Sequence, residues 1–175
     1  MTLRNIDTAQ AARFALFLPG IRNLVEDLHL RAIPVLLGGI GFSAMPELVL
    51  EYTDADYGIA GPAELVLPGF CASGRLPGED QPRIIDARRI GIDPDLVPAR
   101  GKHINYKPYL HYGGIAGFAT QYGCPGQCVY CMEAGTPVHF RSPGAVVEEL
   151  NAMCADGVDE FHLCDSEFNH SLDHC

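Results

Sequence analysis

Three cysteines packed into Cys124-Pro-Gly-Gln-Cys128-Val-Tyr-Cys131 constrain this chain more than any other feature of its sequence. The spacing is CxxxCxxC. A Pro-Gly loop is a poor place to bury three thiols in a core. It is well suited to fold three thiolates around one small inorganic centre, and iron–sulfur clusters are held by such thiolates. Three ligands on a four-iron cluster leave one iron open to a substrate or cofactor. Zinc is the other reading, with His139 as a fourth ligand. Structural zinc normally takes four protein ligands, often as two CxxC pairs, and the sequence has no second pair.

The surroundings of the loop read as a β–loop–α–β unit. Ile115 to Thr120 is a strand candidate that runs directly into the cysteines. Ser142-Pro143 is an N-cap followed by proline at the first helical position. Val146, Val147, Leu150, Met153 and Cys154 then form a helical stripe, stopped near Asp156-Gly157. Glu160 to Cys164 is the next strand and leads into Asp165-Ser166-Glu167-Phe168-Asn169. The cysteines thus follow the C-terminal end of a strand, where α/β barrels carry their active sites. Cys154 is expected in the core, and His162 in the core or lining a barrel. Arg141 is expected to contact the cysteine loop or to cap carbonyls. His103, His111, His170 and His174 have no ligand-like spacing to the cysteines, and Cys71, Cys164 and Cys175 have no evident partner.

The first segment, residues 1–74, alternates helix-like and strand-like stretches. Ile21, Leu24, Val25 and Leu28 lie on one helical face. Ile33 to Leu37 is a short apolar run typical of a strand buried on both faces, ending in Gly38-Gly39. Ser43 is expected to cap a second helix through Leu48, Val49 and Tyr52. Asp56 to Ala60 reads as another strand, ending in Gly61-Pro62-Ala63-Glu64. Pro62 is expected in the first turn of a third helix running towards Cys71. Such alternation predicts parallel strands with crossover helices. Residues 75–112, rich in Pro, Arg and Asp, read as a linker with one short strand near Arg83 to Asp86. Residues 113–175 form the second domain.

Composition narrows the partners. A formal net charge of −10 over 175 residues repels phosphate backbones, so nucleic acid is not expected. No apolar run reaches the roughly 18 residues of a membrane span, and the N-terminus lacks the pattern of a signal peptide. The expected location is the cytoplasm, where seven cysteines point to metal or redox chemistry rather than a disulfide framework.

CxxxCxxC directly after a strand, with aromatic Tyr130 before the last cysteine, is similar to the signature of radical S-adenosylmethionine (SAM) enzymes. Thr2 to Asp7, then Leu36-Leu37-Gly38-Gly39-Ile40-Gly41-Phe42-Ser43, then Gly61-Pro62-Ala63-Glu64 resemble, in order, loops of the cobalamin-binding branch. There the last motif is usually Gly-Glu-Gly-Glu. The resemblance implies an α/β fold: an incomplete Rossmann-like cobalamin-binding domain, then the first βα units of a radical SAM partial barrel. It implies a 4Fe–4S cluster on Cys124, Cys128 and Cys131. It places Tyr130 near the adenine of SAM and Asp165-Ser166-Glu167 at its amino group. Gly38, Gly39 and Ser43 would lie near the nucleotide tail of cobalamin, with Glu64 close by and Arg4 facing the corrin ring. Phe168-Asn169 resembles an Asp-x-x-Phe-Asn pattern of the same branch.

The activity implied is methylation of an unactivated carbon of a small molecule or natural product, with a protein reductant for the cluster. One branch methylates tryptophan in antibiotic assembly without the usual radical step. Radical ring formation or rearrangement without methyl transfer is the rival activity, and a non-catalytic iron–sulfur or zinc module the rival class. The family's Asp-x-His-x-x-Gly motif does not occur, which implies cobalt bound without a protein imidazole. The chain reads as the middle of a longer protein, not expected to turn over substrate alone.

Overall fold

A computed structural model describes residues 1–8, 11–72, 82–100 and 103–174. The expected domain boundary at residues 74 and 75, and Cys175, lie outside the described residues. The chain divides into two compact units, Met1–Ile92 and Asp93–Cys175.

The first unit is built on a parallel sheet in the order β1 (Leu36–Leu37), β2 (Tyr57–Ala60), β3 (Ile84–Asp86). Residues 1–3 run alongside β1, with the Leu3 amide donating to the Gly38 carbonyl at 2.8 Å. The helices are α1 (Leu18–His29), α2 (Ile40–Ala44), α3 (Pro46–Thr53) and α4 (Leu67–Ala72). Val25 of α1, Leu37 of β1, Phe42 of α2 and Val49 and Leu50 of α3 meet in one core. Burying a side chain of this size contributes roughly 1.5–3 kcal/mol, so this core holds helices to sheet without help from strong caps.

Several expectations need correction here. Ser43 does not cap the second helix. Its hydroxyl donates to the Gly39 carbonyl from inside α2, and the chain breaks at Met45 so that Pro46 can start α3 at its first turn. The third helix begins at Leu67, not at Pro62. The strand at Ile33 to Leu37 shrinks to two residues, and Ile33 is exposed. The strand expected within the linker is present as β3, but it pairs with β2 and completes the sheet.

The second unit begins with α5 (Tyr106–His111), also unforeseen in the linker. Two parallel strands follow, β4 (Ala116–Phe118) paired with β7 (Phe161–Leu163). Between them in sequence lie the antiparallel pair β5 (Gln121–Tyr122) and β6 (His139–Phe140) and the helix α6 (Pro143–Ala155). Ser142 caps α6 as expected, its hydroxyl accepting from the Ala145 amide. The core gathers Tyr106, Ala116, Met153 and Val158. Cys154, expected in the core, is exposed, and so is His162 on β7, which is therefore not a core residue. The buried face of α6 runs through Ala145, Glu149 and Met153, at i, i+4, i+8, which turns residue 154 outward.

Candidate cofactor sites

In the first unit the motif loops all leave the C-terminal ends of parallel strands, the edge at which open α/β sheets bind ligands. Arg4 follows the residues that run beside β1 and is exposed. The Gly38–Ser43 loop follows β1, and Gly61–Glu64 follows β2. Ser43 ties the two loops together: its hydroxyl accepts from the Gly61 amide at 2.8 Å while donating to Gly39. Gly38 is buried, and a Cβ there would sit 3.6 Å from the Ile59 carbonyl oxygen, an ordinary contact. Gly39 is different. Its φ is 91°, and a Cβ would lie 2.6 Å from the Leu3 carbonyl oxygen and 2.7 Å from Thr2 Cγ2. The room left by its missing side chain is filled by the chain's own N-terminal residues.

Two features of this unit escaped the sequence reading. Arg88 packs against Gly61 and is held by Asp86, with Nε to Oδ1 at 2.7 Å and Nη2 to Oδ2 at 3.0 Å. These bonds from Arg88 keep the Asp86 carboxyl below its ordinary value. At the start of β2, Asp56 accepts from the Val35 amide at 2.7 Å and pairs with His29 at 2.9 Å. Partial burial would raise the Asp56 carboxyl, but the bonds from Val35 and His29 outweigh it and the net shift is downward. Glu64 is exposed.

In the second unit the cysteine loop has a closed neck. Gln121 pairs with Phe140 and Tyr122 with His139, and the Arg141 amide donates to the Thr120 carbonyl at 2.9 Å. Gly123 supplies the turn into the loop: its φ is 86°, and a Cβ would lie 2.0 Å from the Pro137 carbonyl oxygen. Inside, the Cys124 amide donates to Thr136 Oγ1 at 3.0 Å. The Gly135 amide donates to Gly126 at 2.7 Å, and the Cys131 amide to Cys128 at 3.1 Å. The backbone is thus held by the chain itself while the thiols are free. Cys124 is half-buried, and Cys128 and Cys131 are exposed. Tyr130 is 88% exposed.

Among the described residues no three His, Cys, Asp or Glu side chains converge on a point that one metal ion could occupy. A four-iron cluster asks something else: each thiolate bonds a different iron of one core. Three free thiols on one internally bonded loop supply the donor set for such a core.

The segment after β7 reaches back to the neck. Asp165 Oδ1 accepts from the amides of Thr120 at 2.6 Å and Gln121 at 3.2 Å, and Oδ2 accepts the Thr120 hydroxyl at 2.5 Å. His174 Nε2 lies 2.8 Å from that hydroxyl oxygen. The hydroxyl has one proton and gives it to Asp165, so His174 donates. Ser166 hydrogen-bonds the Glu133 carboxylate, and the Glu167 carbonyl accepts from the Gln121 side chain at 2.5 Å. Asp165, Ser166 and Glu167, expected at the amino group of SAM, therefore stand beside the cysteine loop, with the Asp165 carboxylate bonded to its base.

Beneath the neck lies a network that the sequence reading did not anticipate. Arg141 and Glu149 are almost fully buried, Arg141 Nη1 lies 2.5 Å from Glu149 Oε2, and Arg100 Nη2 lies 2.6 Å from Glu149 Oε1. Its signals in the sequence were Arg141, which binds carbonyls as one of its two expected roles, and Glu149, a carboxylate spaced four residues from both Ala145 and Met153 on the buried face of α6.

Parallel sheets with crossover helices, motif loops at the strand ends and a three-thiol loop beyond β5 define an α/β protein. No family model matches the chain. It is similar to the tryptophan 2-C-methyltransferase of Streptomyces laurentii, 27% identical over 239 residues that take in 99% of this chain and 40% of that protein. Among solved structures it is similar to the radical SAM methyltransferase TsrM from Kitasatospora setae. The complex with tryptophan and a SAM analogue superposes with a TM-score of 0.75 at 29% identity, covering 99% of this chain and 37% of that one. The form with cobalamin and a [4Fe–4S] cluster gives 0.76 at 28% identity, covering 99% and 38%. The chain thus spans about two-fifths of the length of these relatives.

Proposed function

We propose that this chain is the cofactor-bearing segment of a cobalamin-dependent radical SAM methyltransferase that methylates a small-molecule carbon, with tryptophan the leading candidate. The observation that carries the proposal is the cysteine loop: three unbonded thiols on a self-bonded backbone closed at its neck by the β5–β6 pair, just beyond the parallel strand β4. The likeness to tryptophan methyltransferases over nearly the whole chain favours methyl transfer over ring formation or rearrangement.

In this reading Cys124, Cys128 and Cys131 hold the cluster, whose open iron would bind SAM, and cobalamin would carry the methyl group. The chain's own residues position these groups. Asp165 and Thr120 fix the strand end that leads into the cysteines. Tyr130, exposed on the loop, is available to cover the adenine of SAM, and Ser166 and Glu167 stand beside the loop for its amino group. Arg4, Gly38, Gly39, Ser43 and Glu64 mark the strand-end edge assigned to cobalamin. Gly38 is the better contact of the two glycines, because the space at Gly39 is already filled. A small-molecule substrate and a protein reductant are the partners proposed. Among the described residues no helix is long and apolar enough to cross a membrane.

The test is an anaerobic assay of a complete protein carrying this segment, with SAM, cobalamin, reductant and tryptophan. The expected products are methylated tryptophan and S-adenosylhomocysteine. A product without an added methyl group, formed together with 5′-deoxyadenosine, would instead support the rival radical activity.

A further inference from the structure

We propose that Arg141 is a positioning residue that sets the two ends of the cysteine loop at the spacing a bound cluster requires; the inference rests on the cluster reading above. Arg141 stands just beyond β6, at the loop's exit. Its backbone amide takes the Thr120 carbonyl at 2.9 Å. Its guanidinium takes the Ala119 carbonyl through Nη1 at 2.8 Å and the Pro94 carbonyl through Nε at 2.9 Å. One side chain thus joins the exit of the loop, the strand that enters it and the segment before α5. The next residue repeats the pattern, with the Ser142 amide donating to Asp95 Oδ1 at 2.6 Å.

The guanidinium is fixed from below. Its side chain is 1% exposed and meets Glu149, itself 3% exposed, at 2.5 Å. Arg100 holds the other Glu149 oxygen at 2.6 Å and donates to the Gly117 carbonyl of β4 at 2.7 Å. Two guanidiniums, both paired with one carboxylate, therefore donate to three carbonyls along the strand and segments that frame the loop.

Fold stability alone gives little reason for this arrangement. A buried ion pair is weak evidence for stability, and an apolar pair of similar volume often serves a core as well or better. An apolar pair cannot hold carbonyl oxygens on both sides of the loop neck. Nor can lysine, a single point charge without the planar fork that reaches several acceptors at fixed angles. A three-cysteine site needs its thiols held at the separations of one cluster, and the loop interior contributes only backbone bonds and the side-chain bonds of Thr136 and Gln127 to that end.

The experiment uses the 175-residue chain, reconstituted anaerobically with iron and sulfide, alongside R141K and the double variant R141M/E149M. Two quantities are read: the melting temperature of each chain before reconstitution, and the rate at which a chelator strips iron afterwards. The expected result is that both variants keep the fold, with melting near that of the parent, while iron is stripped about tenfold faster, as loss of bonds from a charged donor implies. Stripping at the parent rate in both variants would overturn the inference and leave the cluster reading intact. Loss of the fold in both variants before iron is added would also overturn it, since Arg141 would then serve general stability. A parent chain that takes up no cluster would overturn the cluster reading and this inference with it.

Discussion

The loop at Gly38–Ser43 follows the parallel strand β1 and the loop at Cys124–Cys131 springs from the antiparallel pair β5–β6, and the two are built in opposite ways. The first is consumed by its own unit. Thr2 and Leu3 fill the space beside Gly39, and the Ser43 hydroxyl both donates and accepts within the chain. The second satisfies its backbone internally and leaves three sulfurs with nothing bonded to them among the described residues. A glycine-marked loop can be accounted for by the fold alone. A three-thiol loop cannot, and it is the stronger evidence for a cofactor.

The largest expected effect tests the first half of that comparison. Gly39→Val should destabilise the first unit by on the order of 3 kcal/mol, through a positive φ and a collision with Leu3. Gly38→Ala should cost less than about 1 kcal/mol, since its Cβ meets only an ordinary contact. Denaturant unfolding of the two variants measures both. Equal costs would mean that the two glycines are not distinguished as described. Weaker cobalamin binding in Gly39→Val would not by itself identify a contact, because the loop would already be displaced.

A smaller effect is expected at the base of the second loop. Asp165→Ala leaves the Thr120 and Gln121 amides without their acceptor and should cost about 1–3 kcal/mol. Faster hydrogen exchange at Thr120 would report it. Unchanged exchange would remove Asp165 from the neck and free it for SAM.

The pH dependence of the first unit is weaker still. Asp56 is held below its ordinary value of 3.8 by Val35 and His29. Its contribution is present above the unfolded value and is lost as pH falls through the lower folded value. Acid unfolding should therefore show a component below about pH 4 that Asp56→Asn removes. An unchanged acid limb in that variant would contradict the pairing. The smallest effect should come from Cys128→Ala without cofactor: an exposed side chain with no bonds, worth within about 0.5 kcal/mol of stability.

The residues that were legible in the sequence were those whose chemistry is local. Ser142-Pro143 caps and starts α6 as expected because an N-cap bond spans only three residues. The CxxxCxxC loop is equally local, and β4 and β7 were legible as apolar runs, whereas the β5–β6 pair that closes the loop was not foreseen. Ser43 misled because a hydroxyl before a helical stripe reads as a cap, whereas here it spans two loops 18 residues apart. β3 was legible as a strand but was placed in a linker, because its membership of the sheet depends on pairing with β2. Arg141, Glu149 and Arg100 form a network that only tertiary structure assembles, so no spacing in the sequence marks it as a unit.

The central claim is that Cys124, Cys128 and Cys131 hold one four-iron cluster. The most direct measurement is iron and acid-labile sulfide per chain after anaerobic reconstitution, with Mössbauer spectra, for the parent and for Cys128→Ala. The account predicts about four iron and four sulfide in the parent and loss of most of both in the variant. One zinc per chain without sulfide would contradict it, as would unchanged iron after all three cysteines are replaced by alanine.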